Sequence, residues 1–289
     1  FLFLDTPPVE RVPIPDFRAI ANRLVGDPSP DLLDTIYLCQ QRQEWYREFA
    51  VSAHEPALDF VGSARLVDDV NETAQLMRTV LGLDLGKRRL MPTWSDALRN
   101  LIAQTDALGV LTMVSGVVGS NNRRRLDPQE FRGFAFADVV APLIFVNGAD
   151  TKAAQMFTVA HELAHIWLGE SGVSDSEARF VPDQAVERCC NQVAAELLVP
   201  IEMLRGELDA TVPLAEEIQR LARRFKVSTL VILRRISDAG ALDCDTMWDA
   251  YERELARLRP MARGGGGDFY HTVGSRVSKR FARALIART

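Results

Sequence analysis

The sequence of residues 151–168 is TKAAQMFTVAHELAHIWL, and its apolar residues recur at the spacing of an α-helix. One stripe of this helix consists of four apolar residues, Met156, Ala160, Leu163 and Trp167. Gly169 follows directly and is a suitable C-cap. The pattern therefore predicts an α-helix that ends near Gly169.

Within this helix, the pentapeptide His161-Glu-Leu-Ala-His165 places two imidazoles four residues apart, on one face. Both rings can then bind a single Zn²⁺, and the carboxylate of Glu162 can accept a proton from a water molecule that the metal activates. This arrangement is typical of a metallopeptidase. A pentapeptide is short enough to arise by chance, so its weight depends on the rest of the chain.

A catalytic zinc site takes three protein ligands and leaves a fourth position open, so a third donor must come from another segment. Residues 170–184 are too rich in Gly, Ser, Asp and Pro for a packed element, and a second helix is expected from about Ala185 to Leu198, before Pro200. Glu187, near the start of that helix, is the candidate third ligand. The alternative is a solvated position on the helix surface.

Asn191 lies one turn after Glu187 on the same face of the expected helix. Its side-chain carbonyl could accept the Nδ1 proton of a histidine ligand and so fix the tautomer that presents Nε2 to zinc. We predict this supporting role for Asn191, again with a solvated position as the alternative.

Four blocks in the middle third of the chain resemble the ImmA/IrrE metallopeptidases, which are gluzincin-like enzymes of bacteria, phages and mobile elements. The blocks are EFRGFAFAD at 130–138, APLIFVN at 141–147, FTVAHELAH at 157–165 and ERCCNQVAAELLVP at 187–200. Separated blocks in the right order are far more specific than the pentapeptide alone.

The resemblance implies that His161, His165 and Glu187 are zinc ligands and that Glu162 is the general base, and no ligand position is substituted. It also implies a zinc-dependent endopeptidase that cleaves a regulatory protein, here an XRE-type helix-turn-helix repressor, to relieve repression in a stress or mobile-element response. The alternative is a non-catalytic sensory and oligomerisation half of a transcriptional regulator that uses the peptidase fold for binding.

Zinc is the expected cofactor, although two histidines and a carboxylate also suit Mn²⁺ or Fe²⁺. The glutamate between the histidines favours zinc hydrolysis. Peptide hydrolysis needs a further donor for the developing oxyanion, and the sequence does not identify one. The two other histidines, His54 and His271, are more typical of surface or packing positions.

A short apolar run, Leu143 to Asn147, is bounded by Pro142 and Gly148 and predicts one β-strand. If this strand lies at a sheet edge, an extended substrate could pair with Ile144, Phe145 and Val146 through main-chain hydrogen bonds. A buried strand of a small sheet is the alternative.

Composition excludes several classes of protein. The 289 residues are 47% hydrophobic and 25% charged, as in ordinary globular proteins, and the net charge of -5 argues against a surface that is basic overall. No apolar run reaches the length of a membrane span, and no signal sequence is recognisable. The four cysteines form no Cys-x-x-Cys motif. We therefore expect a cytoplasmic protein with reduced thiols and no membrane partner.

The predicted fold class is α+β, mostly helical, with a small mixed sheet packed on the helix of His161 and on the second ligand-bearing helix. Five segments are expected along the chain: a proline-rich linker at 1–16, a helical N-terminal region at 17–94, a zinc metallopeptidase core at 95–205, a helix-turn-helix-like helical module at 206–244, and a C-terminal basic helical segment at 245–289 whose pattern is cut off. In related proteins a linker of this kind follows a DNA-binding domain, which we expect to be missing here.

Residues 218–236 have the outline of a helix-turn-helix, with a turn at residues 226–228. No acidic residue occurs in this segment, which contains six basic ones, Arg220, Arg223, Arg224, Lys226, Arg234 and Arg235. DNA contact through this segment, or through the missing N-terminal domain, is one interpretation. An αα-hairpin packed on the peptidase gives the same spacing and is favoured, because no base-reading residue can be identified.

Overall fold

A computed structural model describes residues 28–174, 185–258 and 276–288, together with the single residue Pro13. The predicted linker at 1–16, apart from Pro13, the first part of the predicted N-terminal helical region and His271 lie outside the described residues. Within them the chain forms eleven helices and four short strands, which confirms the α+β class.

The helices and strands follow one another in a mixed order. Before the active-site region come α1 (Pro30–Ser52), α2 (Val70–Leu81), α3 (Leu85–Leu90), α4 (Trp94–Leu108), β1 (Leu111–Ser115), β2 (Gly133–Phe136) and β3 (Leu143–Asn147). Then come α5 (Lys152–Leu168), β4 (Gly172–Ser174), α6 (Ala185–Leu198), α7 (Ile201–Glu207), α8 (Leu214–Phe225), α9 (Thr229–Asp238), α10 (Cys244–Leu258) and α11 (Lys279–Arg288).

The four strands form one mixed sheet in the order β1-β3-β2-β4. β3 pairs in parallel with β1, and β2 pairs antiparallel with both β3 and β4. β3 is therefore a central strand, and all five of its residues are buried. The prediction that Ile144, Phe145 and Val146 offer a free edge to substrate is wrong, because hydrogen-bonded neighbours occupy both sides of the strand. An uninterrupted apolar run is typical of such a doubly covered strand.

Helices cover both faces of the sheet. Alternate residues of β3 point to opposite faces, so Ile144 and Val146 join one core cluster with residues of α5 and α6, while Leu143 and Phe145 join another with residues of α1 and α11. Ala135 of β2 belongs to the first cluster. The sheet thus separates the two ligand-bearing helices from α1 and α11.

α5 is the helix expected from residues 151–168. Thr151 is its N-cap and accepts a hydrogen bond from the Ala154 N–H, and Gly169 ends it with a φ of 73°. Twelve of its seventeen residues are buried, so the helix is covered on nearly all sides rather than along one stripe. Polar groups on α5 therefore lie in the interior, where each needs a partner or a ligand.

The helix-turn-helix outline corresponds to α8 and α9, joined by a turn in which Lys226 adopts a left-handed conformation. Three of the six basic residues pair with acids that lie outside the segment: Arg220 with Glu217, Arg224 with Glu207, and Arg235 with Glu196. Much of the expected basic surface is thereby neutralised. DNA contact through this module stays a prediction.

Two further expectations concern membranes and thiols. Among the described helices, none has a stretch long and apolar enough to cross a bilayer. All four cysteines are free, and Cys39 and Cys190 are buried.

Candidate metal centre

The two histidines of α5 and a carboxylate of α6 converge in the interior. His161 and His165 are fully buried and Glu187 is 3% exposed. Their ring nitrogens and carboxylate oxygens lie within 4.8 Å of one another, and this is the one such group of potential metal ligands in the parts of the chain that the structure describes. The sequence places His161 and His165 one turn apart on α5, and the packing of α6 against α5 supplies Glu187.

The distances between the donor atoms suit a small divalent cation. His161 Nε2 and His165 Nε2 are 3.1 Å apart, His165 Nε2 is 2.9 Å from Glu187 Oε1, and His161 Nε2 is 3.2 Å from Glu187 Oε2. In a tetrahedral zinc site with bonds near 2.0–2.1 Å, neighbouring donor atoms are about 3.3 Å apart. The three residues therefore fit a zinc ion in both chemistry and spacing.

Electrostatic interactions bring the carboxylate and one imidazole close to the forms that bind metal. Although burial opposes its ionisation, His161 and His165 lower the pKa of Glu187 to about 2. Burial and the neighbouring His161 lower the pKa of His165, despite the hydrogen bond to Glu187. Glu187 is thus anionic and His165 neutral near pH 7, and these are the ligating states.

His161 titrates in the opposite direction. Burial favours its neutral ring, but Glu187 and Glu162 together raise the pKa of His161 above its usual value. These carboxylates therefore favour the protonated ring of His161, which cannot bind metal. The site is consequently one in which metal and proton compete.

Glu162 lies next to the two histidines and is fully buried, yet it is not one of the three converging donors. Strand β2 passes directly over it. A Cβ atom added at Gly133 would lie 2.8 Å from Glu162 Oε1 and 2.6 Å from Thr158 Cγ2, closer than real contacts allow. Only a glycine at position 133 leaves room for the Glu162 carboxylate.

Sequence reasoning did not identify Gly133, although the residue stands in one of the blocks that carry the family resemblance. The available signal was a glycine at the start of a short apolar strand, GFAF, since a glycine in a strand often marks a close approach of another group. Without the fold, nothing indicated that the approaching group is Glu162.

Asn191 is half-buried one turn after Glu187. Its side chain is among the groups that raise the pKa of His161, so the two residues are neighbours. Among the residues that the structure describes, none makes a hydrogen bond of ordinary geometry to His161 Nδ1 or Asn191 Oδ1. The role of Asn191 as an orienting partner stays a prediction.

The outer strand nearest the site is β4. Its residue Ser174 lies opposite Gly133 in the sheet, and Gly133 contacts Glu162. Among the described strands, β4 pairs with β2 alone.

His54, a histidine outside the candidate centre, is exposed just after α1.

Comparison with known proteins concerns the same part of the chain. Residues 105–237 match the peptidase M78 family model, described as an IrrE N-terminal-like domain. The chain is 30% identical over 132 residues to the radiation response metalloprotease IrrE of Deinococcus radiodurans. This match covers 44% of this chain and 39% of the relative. The chain is also 33% identical over 104 residues to the radiation response metalloprotease IrrE of Deinococcus deserti, 34% of this chain and 37% of the relative. The chain thus spans about two fifths of the length of these relatives.

Proposed function

We propose that this protein is a zinc-dependent endopeptidase of the ImmA/IrrE kind, because residues 105–237 match the IrrE N-terminal-like family model. The observation that carries the proposal is the convergence of His161, His165 and Glu187 from two helices, with the Glu162 carboxylate beside them. The two relatives named as metalloproteases support it.

His161, His165 and Glu187 would hold the metal. A zinc ion held there would act as a Lewis acid: it would polarise a peptide carbonyl and lower the pKa of water to about 7. Glu162 accepts the proton of the attacking water and passes it to the leaving amine nitrogen. Because Gly133 has no side chain, the Glu162 carboxylate has the room beside β2 that both transfers require.

An extended substrate segment binds along the outer edge of β4. This edge has no strand partner among the described residues, and its end at Ser174 is one strand removed from the Gly133 contact with Glu162. Main-chain hydrogen bonds to such an edge hold a peptide extended, with little dependence on its sequence. Specificity must then come from other contacts with the substrate protein.

The substrate is a regulatory protein, an XRE-type helix-turn-helix repressor whose cleavage relieves repression. Two considerations support this choice: the family resemblance, and the fact that both relatives are radiation response metalloproteases, which points to a stress response.

The test is cleavage of candidate repressors by the purified chain loaded with Zn²⁺, followed by mass spectrometry of the products. We expect one discrete cut, and Glu162→Gln should lower its rate by about 10²–10⁴-fold, because the base is lost. The variant should still bind zinc with the wild-type stoichiometry, since Glu162 is not among the three donors.

Cleavage at an undiminished rate by Glu162→Gln contradicts the assignment of the base. Relief of repression that persists in cells carrying this variant, without any cut in the repressor, supports the non-catalytic regulator instead.

A further inference from the structure

The last turn of α6 and Val199, the residue that follows it, receive guanidinium groups from three other helices. Arg78 of α2 donates to the Glu196 carbonyl at 2.7 Å, Arg88 of α3 donates to the Leu198 carbonyl, and Arg235 of α9 donates to the Val199 carbonyl at 3.0 Å. Carbonyls at the end of a helix have no partner within it and form the negative end of the helix dipole. Three cations from separate segments therefore hold one end of the helix that carries Glu187.

We propose that Arg78, Arg88 and Arg235, here called the arginine clamp, position α6 so that Glu187 reaches the metal. The inference rests on the proposed function, because it assigns these arginines a role in building the same centre. They do not touch the reacting groups and act through α6, as positioning residues.

Arg235 makes the most extensive set of contacts in the clamp. Besides the Val199 carbonyl it binds the Glu196 carboxylate, and both side chains are less than a tenth exposed. Glu196 in turn accepts the Ile201 N–H at 3.2 Å, and Arg235 also pairs with Asp238. The guanidinium thus joins α9 to the end of α6 and the start of α7.

Arg88 is held at a cost that stability alone does not explain. It is 2% exposed, and in the described part of the chain neither Nε nor Nη1 has a hydrogen-bond partner. Burial and the nearby Arg89 and Arg78 lower the pKa of Arg88 to about 9. A hydrophobic side chain would often stabilise such a position equally well. A specific bond to the Leu198 carbonyl is what the arginine adds.

The geometry of α6 links this end to the metal centre. Glu187 and Glu196 are nine positions apart, which is about 13 Å along a helix axis. A rigid helix that slides at one end slides by the same distance at the other. Metal sites tolerate only about 0.2 Å of error in bond lengths. The two histidines are fixed independently on α5, so the clamp decides how well Glu187 meets them.

The test compares Arg235→Gln with Arg257→Gln. Arg257 makes two hydrogen bonds to Glu254, which is also buried, but this pair lies between residues of α10 and bonds no group of α6. Zn²⁺ affinity is measured by competition with a chromophoric chelator, and Co²⁺ absorption reports the ligand geometry. We expect Arg235→Gln to weaken Zn²⁺ binding by at least about tenfold and to change the Co²⁺ spectrum. Arg257→Gln should leave both unchanged, although it too removes an arginine from an ion pair with a buried glutamate.

Two further variants keep the test decisive. Arg235→Lys retains the positive charge but loses the planar guanidinium that binds two acceptors at once, so it should recover part of the Zn²⁺ affinity. Arg78→Gln removes one bond from a half-buried side chain, and it should weaken Zn²⁺ binding several-fold in a folded protein. If Arg235→Gln does not fold, Arg78→Gln decides.

Wild-type affinity and an unchanged Co²⁺ spectrum in Arg235→Gln or, where that protein is unfolded, in Arg78→Gln overturn the clamp and leave the proposed function intact. A wild-type protein that binds neither Zn²⁺ nor Co²⁺ overturns both together.

Discussion

At position 133, the absence of a side chain is a chemical requirement of the site. A Cβ at this position would lie 2.8 Å from both Glu162 Oε1 and the Phe145 carbonyl oxygen, and 2.6 Å from Thr158 Cγ2, so at least one of these groups would have to shift. The position of the proposed base is therefore set by a strand that carries none of the metal ligands.

Gly133→Ala should accordingly displace Glu162 and lower the peptidase rate by about 100-fold, the effect of a misplacement of about 1 Å. Zinc should still bind, because the three donors are elsewhere. The measurement pairs cleavage rate with zinc stoichiometry. Gly206→Ala is the matched control, since a Cβ at that position meets no atom within 4 Å. Full activity in Gly133→Ala would show that the close approach has no bearing on catalysis.

Single residues differ in how far the sequence predicts them. The histidines share one helical face by spacing alone, so their proximity follows from local structure. Glu187 and Asn191 lie on a second helix, so the sequence could propose Glu187 as a ligand from its place near the start of that helix, but it could not establish that the two helices pack together. Gly133 was not selected because its role depends on which strand passes over Glu162, and that is a property of the tertiary structure.

Among the elements, β3 is a strand whose bounds follow from its sequence pattern but whose position in the sheet does not. The run from Leu143 to Asn147 predicts a strand, and the strand has those bounds. Whether it lies at the edge or in the middle depends on long-range pairing with β1 and β2, about which a five-residue pattern contains no information. The basic residues of α8 and α9 show the same limit, since Glu196 and Glu207, which neutralise two of them, lie outside the segment.

α4 and α11 meet at a buried acid. Asp106, near the end of α4, is 7% exposed and accepts hydrogen bonds from the Thr112 N–H of β1 and from the Ser278 hydroxyl just before α11. Burial raises the pKa of Asp106 from 3.8 to about 6, although Lys279 and Arg283 of α11 partly oppose this. The folded state therefore holds the Asp106 proton more tightly than the unfolded chain does.

The sign of the resulting pH dependence follows from linkage. The contribution of protonated Asp106 to stability is complete below pH 3.8 and is lost as the pH rises through about 6. Asp106→Asn keeps the acceptor oxygen and removes the charge. Above pH 6 the free energy of unfolding of this variant should therefore exceed that of the wild type by up to about 3 kcal/mol. Urea unfolding between pH 5 and 8 measures this difference.

Asp96→Asn is the control of opposite sign. Thr93 and Arg99 lower the pKa of the half-buried Asp96, so its replacement offers no gain in stability as the pH rises. Parallel pH profiles for the wild type and Asp106→Asn would mean that the carboxyl is ionised at little cost in the folded protein.

On the scale of the whole molecule, helices that come before the sheet in the sequence and a helix that comes after it contact the same end of a ligand-bearing helix. α2 and α3 precede the sheet and α9 follows the ligand helices, yet all three bond to the end of α6. On the opposite side of the sheet, Arg280 of α11 pairs with Glu55 and with Tyr46 of α1. The boundaries predicted at 94 and 205 therefore separate segments that share contacts, and they stay predictions.

Removal of the metal is a test of the entire assembly, because the candidate ligands are buried and come from two helices that pack on each other. A ligand that binds only the folded state stabilises it by mass action, by about 2.7 kcal/mol at a hundredfold excess over Kd. For a protein of this size, each kcal/mol raises Tm by about 2–4 °C. Zn²⁺ should therefore raise Tm by roughly 5–10 °C at that excess, and a chelator should reverse the shift.

Two variants locate the ion. Glu187→Gln should abolish the shift in Tm, whereas Glu162→Gln should retain it, since only Glu187 is among the three donors. Calorimetry with and without Zn²⁺ makes the comparison, and a shift that survives Glu187→Gln would place the ion elsewhere.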